Sequence, residues 1–231
     1  MPGRDPSEPE SEEERERHEA RVRDMPAPRE NPSMASPFLR RVMAWPFRAV
    51  LAFVYRIGMK PWHLTTLALA MNIVVGAMLV NGARLVPGLL LIPAGVLDLL
   101  DGAVARLRGE ESRLGAFLDS GLDRISDAIL FGTLFWSLAA QDKELAAALS
   151  LATMSISLGV SYVRAAAEAR DVKLGEGLFQ RLERYVALII GLVIPGALVP
   201  MLMLLVFLGG VTLVQRIWSG ARQLAVRPVG A

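Results

Sequence analysis

From residue 63 onward the chain alternates long apolar stretches with short polar breaks. A bilayer core takes about 20 apolar residues per helix. The pattern predicts six such spans, at 63–82, 85–107, 114–140, 145–169, 178–195 and 197–218. The run at 199–214 (VPMLMLLVFLGGVTLV) is the clearest, and the last two spans are split only by Pro195 and Pro200. Segment 37–58 behaves differently. On a helical wheel Arg40, Arg41, Arg48 and Arg56 fall in one half, with Phe, Trp, Val and Leu in the other. That pattern predicts a helix lying in the membrane interface, kinked at Pro46. Four Arg within 17 residues oppose the alternative, a seventh span. Residues 1–35 carry almost no large apolar side chain and hold Pro at 2, 6, 9, 26, 28 and 32. Such a segment cannot bury enough to offset chain entropy, so a disordered, solvated tail is expected. No apolar run follows a basic start within it, so it is not expected to be a signal peptide. The predicted organisation is an all-α integral membrane protein: a tail over 1–35, a juxtamembrane amphipathic helix over 36–60, a six-helix domain over 61–222 and a short tail over 223–231.

Composition sharpens this picture. The 231 residues are 53% hydrophobic, above the ~45–50% of soluble proteins. The absence of Cys excludes disulfide scaffolds, Cys-ligated zinc, iron–sulfur clusters and thiol nucleophiles. Two His, His18 and His63, are too few for a His-built metal site. The net charge of +2 hides a split: residues 1–35 carry ten acids and six Arg, and the other 196 carry thirteen acids and nineteen bases. Within the spans the bases also segregate. Arg40, Arg41, Arg48, Arg56, Lys60, Arg106, Arg108, Arg113, Arg170, Lys173, Arg222 and Arg227 fall on one side, and only Arg84 and Lys143 on the other. By the positive-inside rule the first side is cytoplasmic, and six spans put both termini there. The expected location is a multi-pass inner-membrane protein with its active site at the cytoplasmic face. No internal repeat is visible, so an inverted-repeat transporter is not suggested.

Five acids contradict the apolar setting. Asp98, Asp101, Asp119, Asp123 and Asp127 lie in spans two and three. An Asp at a helix centre costs ~2.5–3.5 kcal/mol on insertion scales, so several together must be paired, hydrated or metal-bound. Asp98 and Asp101 are spaced i, i+3, and Asp119, Asp123 and Asp127 i, i+4, so each set shares one helix face. A short loop around Gly109 would make the two helices antiparallel neighbours whose carboxylates oppose each other. All-oxygen ligands suit Mg²⁺, Mn²⁺ or Ca²⁺ rather than zinc, and this many acids suggest two ions. Gly102, Ala103, Ala105, Gly115 and Ala116 allow close approach of backbone or ligand, and Arg106 is placed for a phosphate. Metal, Arg and lipid depth together point to phosphoryl chemistry on a lipid headgroup. Arg164, Arg181 and Arg216 stand in or at the ends of three other spans. Each alone reads as a snorkelling helix-end charge; their convergence favours a pocket for an acceptor phosphate.

The run D-G-A-V-A-R at 101–106, followed by Gly115, Asp119 and Asp123 and preceded by Asp98, resembles the signature of the CDP-alcohol phosphatidyltransferases. Seven fixed positions within 23 residues carry the resemblance, and the six-span reading of 63–218 agrees with that family's fold. The resemblance implies an enzyme that replaces CMP on a CDP-lipid such as CDP-diacylglycerol with an alcohol. It implies two divalent cations, Mg²⁺ or Mn²⁺, held by Asp98, Asp101, Asp119 and Asp123, with Asp123 as the base for the attacking hydroxyl. It assigns Gly102, Ala105, Arg106 and Gly115 to the CDP-lipid, with Thr65 near the nucleotide. At the position of Trp62 the family usually has Asn or Asp; here stacking would substitute. A homodimer is implied by the family only, and no nucleic acid is expected among the partners.

For the acceptor, LGAFLDSGLDRISDAILFG (114–132) resembles the inositol-phosphate-using branch, the bacterial phosphatidylinositol phosphate synthases. The glycerol-phosphate branch tends to have Pro and Lys where this chain has Ser120 and Arg124. SYVRAAAEA (161–169) resembles a second block of the inositol-phosphate branch, with Ala166 where Arg is usual. QRLER (180–184) supplies Arg181 and Arg184, and VQR (214–216) supplies Arg216. Asp127 and Glu168 are candidates to partner these Arg or to bind acceptor hydroxyls, and Glu183 is a candidate ion-pair partner of Arg184. The expected acceptor is inositol phosphate. The alternatives are glycerol 3-phosphate and, in another class, a cation transporter that uses the Asp cluster as an ion path.

Overall fold

A computed structural model describes residues 49–172, 174 and 181–226, with the side chain of Val226 excepted. The predicted tail 1–35 and Arg40, Arg41, Pro46 and Arg48 of the amphipathic segment lie outside the described residues, as do 227–231. The chain divides after Gly58. On the N-terminal side 49–56 is helical. On the C-terminal side six helices follow among the described residues: α1 Pro61–Val80, α2 Leu85–Arg108, α3 Arg113–Ala139, α4 Glu144–Glu168, α5 Arg181–Val193 and α6 Leu198–Val226. No strand occurs among the described residues.

Local chemistry sets the boundaries. Pro61 opens α1 at its first turn, where a missing N–H costs nothing, and the Lys60 N–H donates to His63 Nδ1 at 3.2 Å. Gly109 closes α2 in the left-handed region, φ 64°. Three residues later Ser112 caps α3, its Oγ accepting from the Gly115 N–H at 3.0 Å. The predicted span at 197–218 stops where the polar residues begin, but α6 runs on to Val226 because nothing in 219–226 breaks a helix.

Among the described residues, four helices are long and apolar enough to cross a membrane: Pro61–Val80, Leu85–Arg108, Glu144–Glu168 and Leu198–Ala225. Helix α3 carries Arg113, Asp119, Asp123, Arg124 and Asp127, and α5 is described over 13 residues with Arg181, Glu183 and Arg184 among them. Charge and length thus separate these two from the other four.

Helix α1 packs on α2 and α3, α4 on α3 and α6, and α5 on α2 and α6. The sequence led us to expect α2 and α3 as packed neighbours. They barely touch, and α1 backs both of them. The interior is built from Val75, Leu79, Leu91, Phe131, Leu134, Leu188 and Leu202. Outward sides keep large apolar residues in the open, such as Ile73, Ile92, Trp136 and Phe207, as helices in lipid do. Arg84, Leu138, Lys143, Gly191, Pro195 and Leu198 line one cavity of about 210 Å³. The α1–α2, α3–α4 and α5–α6 connections therefore meet at one end, and the Asp-bearing halves of α2 and α3 lie toward the other.

Candidate active site

Three acids are gathered by two helices that scarcely touch. Asp98 on α2 and Asp119 and Asp123 on α3 each offer a carboxylate oxygen, and these oxygens lie within 4.8 Å of one another. Their spacing explains the gathering, since i, i+4 sets Asp119 and Asp123 on one face of α3. Ligand atoms on opposite sides of one ion bound at 2.0–2.6 Å are about 4–5 Å apart. The cluster is thus of the right size and chemistry, all carboxylate, for a hard divalent cation.

Asp101 is turned slightly aside. It is 6% exposed and accepts from Thr65 Oγ1 at 2.7 Å and from the Gly102 N–H at 2.5 Å. It remains within electrostatic reach of Asp98 and Asp119. Thr65 itself sits in the first turns of α1, so α1 ties the backing helix directly to the acidic face. Gly102 leaves room for the Arg106 guanidinium, which would lie 3.6 Å from a Cβ added there. Ala105 is half-buried beside it, and Gly115, on the exposed first turn of α3, donates its N–H to Ser112. Trp62 is 61% exposed and its ring lies 3.7 Å, centroid to centroid, from that of His63.

The Arg residues divide into two groups. Arg181, at the start of α5, reaches the acids: its Nη1 lies 2.8 Å from Asp98 Oδ1 and also pairs with Asp123 Oδ1. Its guanidinium lies over the Tyr185 ring, 5.4 Å from the centroid. The second group is Arg164, Arg184 and Arg216. Arg164 is exposed and pairs with Glu168 one turn on, 2.8 Å. Arg216 on α6 donates to the Val160 carbonyl of α4 at 3.1 Å and feels the charges of Arg164, Arg184 and Glu168. Arg184 donates to Ser157 Oγ and pairs with Asp127 at 3.2 Å. Asp127 also accepts from Ser157 Oγ at 2.5 Å. The structure thus gives Arg184 a cross-helix partner in Asp127, beyond the neighbouring Glu183.

Sequence reasoning missed three polar residues here. Ser157 bridges Asp127 and Arg184, and Asn72 Nδ2 donates to the Tyr185 hydroxyl at 2.9 Å, 1% exposed in the bundle. Their signal was present: Asn72 and Ser157 are polar residues inside otherwise apolar runs, which a bilayer setting tolerates only where they find partners.

An all-carboxylate cluster flanked by Arg in an apolar helical bundle suits metal-assisted phosphoryl chemistry. The chain belongs to the CDP-alcohol phosphatidyltransferase family, which residues 59–218 match. It is 34% identical over 209 residues to phosphatidylinositol phosphate synthase of Streptomyces avermitilis, covering 83% of this chain and 82% of that one. To the phosphatidylinositol phosphate synthase of Corynebacterium glutamicum it is 30% identical over 154 residues, 65% of this chain and 70% of that one. Against further curated relatives from mycobacteria the match spans 42% to 46% of their length. Among solved structures it resembles Mycobacterium tuberculosis phosphatidylinositol phosphate synthase with CDP-DAG bound (TM-score 0.70, 28% identity, 79% of this chain and 98% of that one). The same protein in complex with manganese and citrate gives a TM-score of 0.70 over 79% of this chain and 92% of that one.

Proposed function

We propose that the protein transfers a phosphatidyl group from a CDP-lipid such as CDP-diacylglycerol to a phosphorylated polyol, inositol phosphate, and releases CMP. The observation that carries this reading is the meeting of Asp98, Asp119 and Asp123 within 4.8 Å, in a chain of the CDP-alcohol phosphatidyltransferase family. The names of its relatives favour inositol phosphate over the runner-up acceptor, glycerol 3-phosphate.

Asp98, Asp101, Asp119 and Asp123 are assigned to two divalent cations, Mg²⁺ or Mn²⁺. When bound, these supply positive charge against the diphosphate and the departing CMP. Asp123 takes the proton of the acceptor hydroxyl. The hydroxyl oxygen bonds to the lipid-bearing phosphorus, the bond from that phosphorus to the CMP oxygen breaks, and CMP leaves with the electron pair. Arg106 over Gly102, with Ala105 and Gly115, is assigned to the CDP-lipid, and Thr65 to the nucleotide side. Arg164, Arg181 and Arg216 are assigned to the acceptor phosphate. Guanidinium forks suit a phosphate dianion.

The same reading has all six helices crossing the inner membrane, with the acidic site and both termini cytoplasmic. Pairing of Asp123 with Arg181 and of Asp127 with Arg184 supports two charged helices, α3 and α5, inside a bilayer. Helix 49–56, with Phe53 63% exposed, suits the membrane interface. A homodimer completes the proposal.

The test is CMP release from CDP-diacylglycerol by purified protein with a panel of acceptors, with and without Mn²⁺. Turnover is expected with inositol phosphate and metal, and Asp123→Asn should lose at least about 100-fold, the low end for a general base. Turnover with glycerol 3-phosphate alone would overturn the acceptor assignment, and an Asp123→Asn variant as active as the parent would overturn the base.

A further inference from the structure

Arg181 uses one nitrogen, Nη1, for both Asp98 and Asp123, while its Nε is buried without a partner. A guanidinium carries five N–H donors and pairs best as a two-pronged fork. Here the contact is shared by two carboxylates at a single prong, and a buried donor left unpaired carries a desolvation cost. The arrangement is held from behind: the guanidinium lies over Tyr185, and the Tyr185 hydroxyl accepts from Asn72 of α1. Asp98 and Asp123 are two of the three acids whose oxygens meet within 4.8 Å. A divalent ion on those oxygens and a guanidinium on the same two carboxylates repel each other and contend for the same lone pairs.

We propose that Arg181 is an internal competitor of the divalent ion: it neutralises Asp98 and Asp123 until the ion arrives, and the ion then displaces it toward an anionic group. Its side chain keeps 17% exposure, and its aromatic rest at Tyr185 does not depend on the carboxylates. This rests on the reading of the acids as a metal site. It makes Arg181 a positioning residue that couples metal binding to the readiness of a cation for phosphate.

The test is Mn²⁺ binding to the purified full chain without substrate, followed by electron paramagnetic resonance. Arg181→Gln should bind Mn²⁺ roughly fivefold or more tightly than the parent, the fold-change that loss of a competing ion pair of ~1 kcal/mol gives. Arg124→Gln is the control for charge alone. Arg124 donates to the Ser120 carbonyl and influences Asp119 without bridging the acids, so its effect should stay within about twofold. A second measurement needs no variant. In the parent, modification of Arg181 by phenylglyoxal, mapped by peptide mass spectrometry, should speed up when Mn²⁺ is added. Unchanged or weaker Mn²⁺ binding by Arg181→Gln, an equal gain in Arg124→Gln, or slower modification with Mn²⁺ would each overturn the proposal. A parent protein that binds no Mn²⁺ would instead sink the metal-site reading beneath it.

Discussion

Asp127 is 3% exposed, yet it touches neither Asp98 nor Asp123 in the acid cluster; its partners are Ser157 and Arg184. Both members of the ion pair are enclosed, at 5% and 13% side-chain exposure. Breaking such a pair from one side strands the other charge, which costs about 3–5 kcal/mol. Asp127→Ala should therefore lower the thermal stability of the detergent-solubilised protein severely. Asp127→Ala with Arg184→Met, which removes both charges, should recover much of the loss. A double variant no more stable than the single would show that the pair is not what holds the site. That Asp119 and Asp123 share one face was legible from the sequence, because helical periodicity fixes it, and the short turn at Gly109 brought Asp98 of the preceding helix toward them. That Asp101 would turn to Thr65, or that Ser157 would join Asp127 to Arg184, was not legible. Those contacts join residues 27 or more positions apart, and no local pattern encodes them.

The helices themselves were written plainly in the chain, since lipid-length apolar runs broken by Gly, Pro and polar residues leave few choices. The residue that stops α2, Gly109, was visible as turn chemistry, whereas the Ser112 cap that starts α3 emerged only from the structure. What the pattern left open was which helices would touch. Close approach is decided by small residues meeting particular neighbours. At Gly88 on α2, an added Cβ would meet Val193 Cγ2 at 2.8 Å and Leu192 Cβ at 3.0 Å on α5. Leu192 Cβ sits on the backbone and cannot rotate away. Gly88→Ala should therefore push α2 from α5 and cost about 1–3 kcal/mol, as overpacking does. Gly210 on α6 has nothing within 4 Å of the same point. Gly210→Ala should be neutral or stabilising by up to about 1 kcal/mol, the helix-propensity gain. Thermal melting of the two variants side by side checks both. Equal melting temperatures would show that α2 and α5 are not in close contact at Gly88. Because α5 carries Arg181 and Arg184, the same substitution should also weaken catalysis through displaced Arg side chains.

At the scale of the molecule, a physical asymmetry connects fold to function. The end that gathers the α1–α2, α3–α4 and α5–α6 connections holds Arg84 and Lys143, both of which share Gln141 Oε1 at 3.2 and 2.7 Å. The acid-bearing end holds Arg106, Arg108 and Arg113 in and beside a single short connection. Lys and Arg resist translocation, so the richer end should stay in the cytoplasm. The proposed reaction fits the same orientation, for CMP and a phosphorylated polyol are charged, water-borne molecules that do not cross a bilayer unaided. The chain contains no Cys, so single cysteines can be introduced without a background. Glu110 lies in the exposed α2–α3 connection and Glu144 is exposed at the start of α4, toward the opposite end. In intact cells a membrane-impermeant maleimide should label Glu144→Cys and should label Glu110→Cys only after permeabilisation. Neither residue contacts the acid cluster, so both variants should retain CMP release and report on a folded enzyme. The reverse labelling would place the acids on the outer face and remove the water-borne substrates from their reach. Labelling of both positions from outside would mean that α3, the one helix between them, does not cross the membrane, and the six-span reading would fall with it.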